Sequence, residues 1–234
     1  MEVPAPRPVA LRALGALKRV LTDRAARYEY LMRYGLLPGG FQPFRCTGDN
    51  RYPRIFAFVQ SELGEDCAGR ILSFGCSTGE EVFTLRRYFP RAAIKGIDIN
   101  ANNIAICRRR APPDDAGLAF DKASSTVREP DGAYDAIFCM AVLRHGGLKG
   151  DRPYCTPLLD FADFARAIAD AHRCLRPGGL LAVRHSNFRV CDAPAAAGFE
   201  AVFSGAVDAP GPLYGPDNAL LPETLYRDCV FRKR

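Results

Sequence analysis

The chain has 234 residues, 48% of them hydrophobic and 25% charged, with a formal net charge of +6. That length can bury a full core in one domain without disulfide staples, and the composition excludes a disordered or collagen-like polymer. The longest apolar runs are far too short to cross a bilayer, so no membrane span is expected.

The positive charge is unevenly distributed. Residues 1–60 hold ten Lys/Arg against four Asp/Glu, while residues 61–234 hold 22 against 22. A basic start of this kind reads first as a solvated helix face, and second as an arm for an acidic partner, nucleic acid or an anionic membrane. From about Val9 to Tyr34 the apolar residues Leu11, Leu14, Leu17, Leu21, Leu31 and Met32 recur at helical spacing, until Pro38-Gly39-Gly40 ends the pattern. Arg7, Arg12, Lys18 and Arg19 interrupt any apolar core of a secretory signal. A second helix is expected over residues 52–63. Residues 1–66 thus read as a helical extension, with Tyr28, Tyr30 and Tyr34 as lid candidates, and residues 67–234 as the main domain.

Downstream, short apolar runs alternate with helical patterns. The runs Arg70–Phe74, Ala93–Asp98, Leu118–Asp121, Tyr134–Cys139 and Leu180–Arg184 predict strands. Gly79–Tyr88, Asn100–Arg110 and Leu158–Leu175 between them predict helices. This alternation implies βαβ units and a parallel sheet covered on both faces. Gly198–Phe203 and Leu225–Phe231 predict two further strands forming an antiparallel edge, after a Pro/Gly-rich loop over Asp208–Pro222. The fold class is α/β: a Rossmann-like, doubly wound, mostly parallel sheet. Nine cysteines, an odd number with no C-x-x-C pair, read as reduced thiols of a cytoplasmic protein. With three histidines and no clustered ligands, no metal site is expected.

The first strand runs into Phe74-Gly75-Cys76-Ser77-Thr78-Gly79-Glu80-Glu81, a glycine turn that opens a helix. Open α/β sheets bind ligands at this point. A dinucleotide site calls for G-x-G-x-x-G with pyrophosphate on bare helix amides, but Ser77 stands where the second glycine belongs. Two glutamates beside the turn disfavour a pyrophosphate and suit a ligand that brings cations. Glu80, nearest the turn, is the expected ligand carboxylate, and Glu81 is expected to complement the helix dipole. Asp98 ends the second strand 23 residues after Gly75, where an acidic residue meets a ribose in such folds. Asn100 is placed to cap the next helix.

These pieces, with the Leu175-Arg176-Pro177-Gly178-Gly179 turn before the fifth strand, resemble class I S-adenosylmethionine-dependent methyltransferases over about residues 68–186. The resemblance implies S-adenosyl-L-methionine as cofactor. It places the methionine end on the Gly75–Gly79 loop with Phe74, and the ribose on Asp98 beside Ile99 and Asn100. It implies Asp121 and Lys122 near the adenine, and Cys139 and Met140 along the pocket. The family's acidic residue before the glycine turn is replaced by Ser73, so one contact to the ligand is expected to be lost or water-mediated. Arg51 is a candidate partner for the methionine carboxylate.

The stretches Gly75–Glu81, Tyr134–Leu143 and Leu175–Asn187 are most similar to chemotaxis-receptor glutamate methyltransferases. However, only 23 residues separate Asp98 from Asp121, which leaves no room for their receptor-binding subdomain. The expected activity is therefore methylation of a small molecule at oxygen or nitrogen. A protein carboxyl methyltransferase and a non-catalytic binding scaffold are the alternatives. His145 and His185, after the fourth and fifth strands, are the candidate bases. Cys139-Met140-Ala141-Val142 stands where nucleic-acid amino-methyltransferases carry an Asp/Asn-Pro-Pro-aromatic run, so no nucleic acid is expected. The oligomeric state is left open by the sequence.

Overall fold

The computed structural model of the protein describes residues 20–22, 24–37, 40–44, 47–205, 211–223 and 225–234. The expected helix start near Val9, the Pro38-Gly39 stop, Cys46 and the beginning of the Asp208–Pro222 loop lie outside the described residues. In chain order the elements are α1 (Arg24–Arg33), α2 (Pro53–Leu63), β1 (Arg70–Phe74), α3 (Glu80–Tyr88), β2 (Ala93–Asp98), α4 (Ala101–Arg110), β3 (Leu118–Lys122), β4 (Tyr134–Met140), α5 (Phe161–Cys174), β5 (Leu175–Arg184), β6 (Phe199–Ser204) and β7 (Asp228–Lys233).

The strands form one sheet in the order β3-β2-β1-β4-β5-β7-β6. The first five are parallel, and β7 runs antiparallel between β5 and β6. This is the doubly wound sheet with an antiparallel C-terminal edge that the alternating pattern predicts. The strand order reverses direction between β1 and β4, and that switch point sets where a ligand crevice opens.

Strand residues alternate between two cores. Ile71, Ile94, Ala136 and Phe138 join Phe56, Val82, Leu85 and Ile104 from α2, α3 and α4 on one face. Leu72, Ile97, Ile137 and Cys139 join Phe161, Phe164 and Ile168 from α5 on the other. Helix α2, upstream of residue 67, is packed firmly on the sheet: Phe56 meets Phe138 at 5.6 Å and Phe58 stacks on Phe203 at 4.6 Å.

Two helices start as their sequences dictate. The Asn100 side chain accepts from Asn102 N at 2.9 Å, and Asp160 accepts from Ala162 N at 2.9 Å. One strand starts earlier than expected. β5 begins at Leu175, because Tyr134 pairs with Leu175 while Ala136 pairs with Leu180. The Arg176–Gly179 turn is carried inside the strand as a bulge, with Gly178 at φ +75°. Among the described residues no helix is long and apolar enough to cross a membrane.

Candidate functional site

A cavity opens at the switch point. On the sheet side it is lined by Phe74, Gly75, Cys76 and Ser77 after β1, and by Asp98, Ile99 and Asn100 after β2. Ala123 and Ser124 after β3, and Met140, Ala141 and Val142 after β4, complete that wall. The opposite wall comes from upstream: Tyr28 and Met32 of α1, Phe41 to Phe44, Arg51, Tyr52 and Phe56.

Close approach fixes the turn. Gly75 has φ +77°, and a Cβ there would sit 2.3 Å from Val142 Cγ2, so glycine is required twice over. Gly75 N and Cys76 N both donate to the Ile97 carbonyl, at 2.8 and 3.0 Å, which ties the loop to the end of β2. Three residues that do carry a Cβ, Ser77, Ala141 and His185, adopt left-handed backbone along this same edge of the sheet. Such conformations cost energy and cluster at binding sites.

Asp98 joins the loop to helix α4. Its Oδ2 accepts from Ser77 N at 2.9 Å, and its Oδ1 accepts from Asn100 N at 2.8 Å and Asn103 Nδ2 at 3.1 Å. It is buried and lines the cavity. Since Asn100 caps the helix, Asp98 is left to brace the loop and face the cavity.

The second carboxylate differs from the sequence expectation. Glu81, not Glu80, lines the cavity. Ser73 Oγ donates to Glu81 Oε1 at 2.7 Å. Burial raises the Glu81 carboxyl to about 7, against the lowering effects of the Ser73 bond and the Arg51 charge. A carboxylate from the first turn of α3 thus stands beside Ser73, with the serine holding it. Glu80 is turned towards α4, where it accepts from Thr78 Oγ1 at 2.7 Å and from Arg110. Although burial opposes them, these two partners hold its carboxyl below the usual range. Successive helix residues point about 100° apart, so only one of the two glutamates can face the crevice.

Three buried polar atoms, Tyr28 Oη, Ser77 Oγ and Asn103 Oδ1, have no hydrogen-bond partner among the described residues, and all three residues line this cavity. Each such atom left unpaired costs about 1–3 kcal/mol, which a polar ligand would recover. Burial, with the Asp98 charge adding, raises the Tyr28 phenol, so it faces the cavity as a neutral donor.

Other expected residues fall elsewhere. Thr78 and Gly79 belong to the helix start: a Cβ on Gly79 would strike Phe83 at 2.7 Å. Asp121 pairs with Lys95 at 3.0 Å and Arg108 at 3.3 Å, and Lys122 is exposed. β3 runs one residue further than expected, to Lys122, so the residues that reach the cavity are Ala123 and Ser124. Cys139 points into the α5-side core, where burial raises its thiol, while Met140 reaches the cavity. Adjacent strand residues face opposite sides, so the two cannot share a wall.

His145 is also withdrawn from the cavity. It is 1% exposed, its Nδ1 accepts from Gly147 N at 3.1 Å, and its Nε2 lies 3.3 Å from the Met32 carbonyl. That leaves the ring bracing α1. Burial lowers its pKa, with the Met32 bond opposing. His185 is not among the lining residues; its Nδ1 lies 3.0 Å from the hydroxyl of Tyr52, which does line the cavity.

Sequence reasoning missed Asn103, Met32, Phe41, Gln42 and Ser124. The signal for Asn103 was present: it stands three residues after the cap, on the face of α4 that Ile104 and Cys107 bury.

Residues 72–183 match the family model described as a methyltransferase domain. The chain is 30% identical over 120 residues to the demethylmenaquinone methyltransferase of Thermus thermophilus, covering 51% of this chain and 48% of that protein. It is 27% identical over 143 residues to the trans-aconitate 2-methyltransferase of Deinococcus radiodurans, covering 58% and 48% respectively. The longest of the three alignments is to the 4-amino-L-phenylalanine/4-methylamino-L-phenylalanine methyltransferase of Streptomyces pristinaespiralis: 26% over 207 residues, covering 80% and 70%. The chain thus spans about half the length of the first two relatives. The cavity residues from Phe74 to Val142 fall within the matched segment. Over residues 72–183, just under half of the chain, the protein is therefore similar to methyltransferase domains.

Proposed function

We propose that the protein is an S-adenosylmethionine-dependent methyltransferase acting on a small molecule at oxygen or nitrogen. The observation that carries this reading is the cavity's polar inventory among the described residues: two carboxylates, Asp98 and Glu81, a guanidinium, Arg51, and three unsatisfied polar atoms on its two walls. That set suits a nucleoside carrying both an amino-acid end and positive charge. Asp98 would take the ribose hydroxyls, Glu81 with Ser77 the ammonium, and Arg51 the carboxylate. Asn103 Oδ1 and Tyr28 Oη are further polar contacts for the nucleoside. Among the described lining residues a pyrophosphate would meet two carboxylates and one arginine, an unfavourable balance.

The bound sulfonium supplies an activated methyl group. The chain's part is to orient the reactants and exclude water, and orientation alone can supply about 7–11 kcal/mol of the barrier. In this reading the extension upstream of domain 67–234 acts as a lid through its described residues Tyr28, Met32, Phe41 and Phe44, which form the upper wall. The apolar share of that wall, and relatives whose names specify small acceptors, support a small-molecule substrate rather than a nucleic acid. The cysteines described are all free thiols, in keeping with a cytoplasmic location.

The likeness of Gly75–Glu81 to chemotaxis-receptor glutamate methyltransferases makes a protein carboxyl acceptor the second reading. Calorimetry with S-adenosylmethionine and S-adenosylhomocysteine tests the cofactor. Incubation with methyl-labelled cofactor then separates the acceptors. Label in small molecules supports the proposal, base-labile label on protein supports the second reading, and the absence of any binding heat overturns both.

A further inference from the structure

We propose that Tyr52 and His185 form a proton-relay pair at the acceptor end of the cavity. Tyr52 takes the proton that an O–H or N–H acceptor loses on methylation, while passing its own proton to His185. The inference rests on the methyltransferase reading above and names the group that handles the proton.

Position along the sheet edge is the first ground. The cavity wall follows the strand order: Asp98 ends β2, Gly75 follows β1 and Met140 to Val142 follow β4; His185 follows β5, one strand further along the same edge, behind Tyr52. Neighbouring strands are about 4.8 Å apart, so β2 and β5 are separated by about 14 Å. With the nucleoside end fixed at Asp98, the reacting end and the acceptor face β4 and β5. Tyr52 lines the cavity there, and its hydroxyl meets His185 Nδ1 at 3.0 Å, with the rings edge-on at 5.5 Å.

Backbone geometry is the second ground. His185 holds a left-handed conformation, φ +52°, immediately after the strand. A residue with a Cβ pays for that conformation, and the result here is a ring set against Tyr52. Tyr52 occupies the N-cap position of α2, yet its side chain makes no capping bond. Its hydroxyl is directed at the histidine instead.

Chemistry is the third ground. A phenol alone is a poor proton acceptor, because it must first lose a proton with a pKa near 10. An imidazole, with an unperturbed pKa of about 6.5, can take that proton at neutral pH. With Nδ1 accepting from Tyr52, the imidazole carries its own proton on Nε2. As the acceptor's lone pair forms the new bond to carbon, the carbon–sulfur electron pair stays on sulfur, which becomes neutral. The acceptor proton moves to Tyr52 Oη and the Tyr52 proton moves to His185 Nδ1; once the product leaves, the imidazolium returns its proton to Tyr52, which gives one proton up to water entering the cavity. The Arg51 guanidinium, 5.2 Å from the centre of the Tyr52 ring, favours negative charge on the phenol oxygen during this exchange. His145 cannot substitute, because both its nitrogens are engaged with backbone away from the cavity.

The test uses the full chain with two variants, Tyr52→Phe and His185→Asn. Asparagine tolerates the left-handed backbone and can accept a hydrogen bond, but it cannot take up a proton. Nitrogen-15 NMR of the three histidines gives a readout that needs no acceptor. Tyr52→Phe should move the Nδ1 signal of His185 and leave those of His145 and His172 in place; an unmoved His185 signal overturns the pair. Methyl transfer to a panel of small phenols, amines and carboxylates gives the second readout. Both variants should lower kcat for phenols and amines by about 10²- to 10⁴-fold with KM for the cofactor nearly unchanged, and spare carboxylates, which have no proton to lose. A uniform loss across the panel, or none, overturns the relay, and if no acceptor turns over the NMR result decides. Calorimetry of the wild-type chain with S-adenosylmethionine keeps the two failures apart: no binding sinks the methyltransferase reading, whereas an unmoved His185 signal sinks the pair alone.

Discussion

Asp98 and Glu81 are both carboxylates facing one cavity, yet their surroundings give them different behaviour. Asp98 accepts three hydrogen bonds from Ser77, Asn100 and Asn103 and braces the loop as well as the ligand. Replacing it by alanine should weaken S-adenosylmethionine binding by about 10- to 150-fold, equivalent to about 1.5–3 kcal/mol of charge-assisted bonding. Calorimetry reads this directly, and an unchanged affinity would remove Asp98 from the site. Glu81, raised to about 7 by burial, should make binding depend on pH. A cationic ligand favours the ionised carboxylate, so below pH 7 binding must first expel a proton. Affinity should therefore fall as the solution is acidified, by up to about 10-fold per pH unit. Proton release, measured in buffers of different ionisation enthalpy, should vanish in Glu81→Gln. For the free protein the sign is opposite: the native state binds more protons than the unfolded chain between about 4.5 and about 7. Glu81 thus lowers stability as pH rises through that window.

Among the elements, the β1–α3 loop and helix α1 make separable contributions. Gly75→Ala forces a Cβ into Val142 at 2.3 Å in a left-handed conformation. Loss of cofactor binding is expected, together with about 1–3 kcal/mol of stability, as read from denaturant midpoints. Helix α1 is held through His145, which bonds the Met32 carbonyl and the Gly147 amide. His145→Ala should cost about 1–3 kcal/mol by stranding those backbone groups. The wild-type contribution should itself fade in acid. Burial lowers the His145 pKa below its usual range, so the native state binds fewer protons than the unfolded chain. Stability from this group is complete above the unfolded pKa of about 6.5 and is lost as pH falls through the lower folded value. Hydrogen exchange of α1 amides across that range would detect the loosening, and uniform protection would remove His145 as the brace.

At the scale of the whole molecule, cofactor and fold should be coupled, because the cavity wall draws on α1, α2 and four strand ends. A ligand at 100 times its Kd stabilises the native state by about 2.7 kcal/mol. For a chain of this size that corresponds to a rise in Tm of about 5–10 °C. S-adenosylhomocysteine should produce this shift in a thermal melt and NAD should not. A shift with NAD alone would reverse the electrostatic reading of the cavity.

The repeating pattern of apolar runs and helices carried the sheet, since periodicity and punctuation are local properties. β1 and β2 fall on the residues their hydrophobic runs delimit, and the Gly75 turn, Asp98 and the Asn100 cap were legible for the same reason. What the tertiary structure alone decided was which neighbour of a pair faces the cavity: Glu81 rather than Glu80, and Met140 rather than Cys139. The reason is rotational. A shift of one residue turns a side chain by about 100° on a helix and to the opposite face on a strand, and only packing against distant elements fixes that phase. The same holds for the pairing of Tyr52 with His185, 133 positions apart in the chain, which no spacing within the sequence can encode.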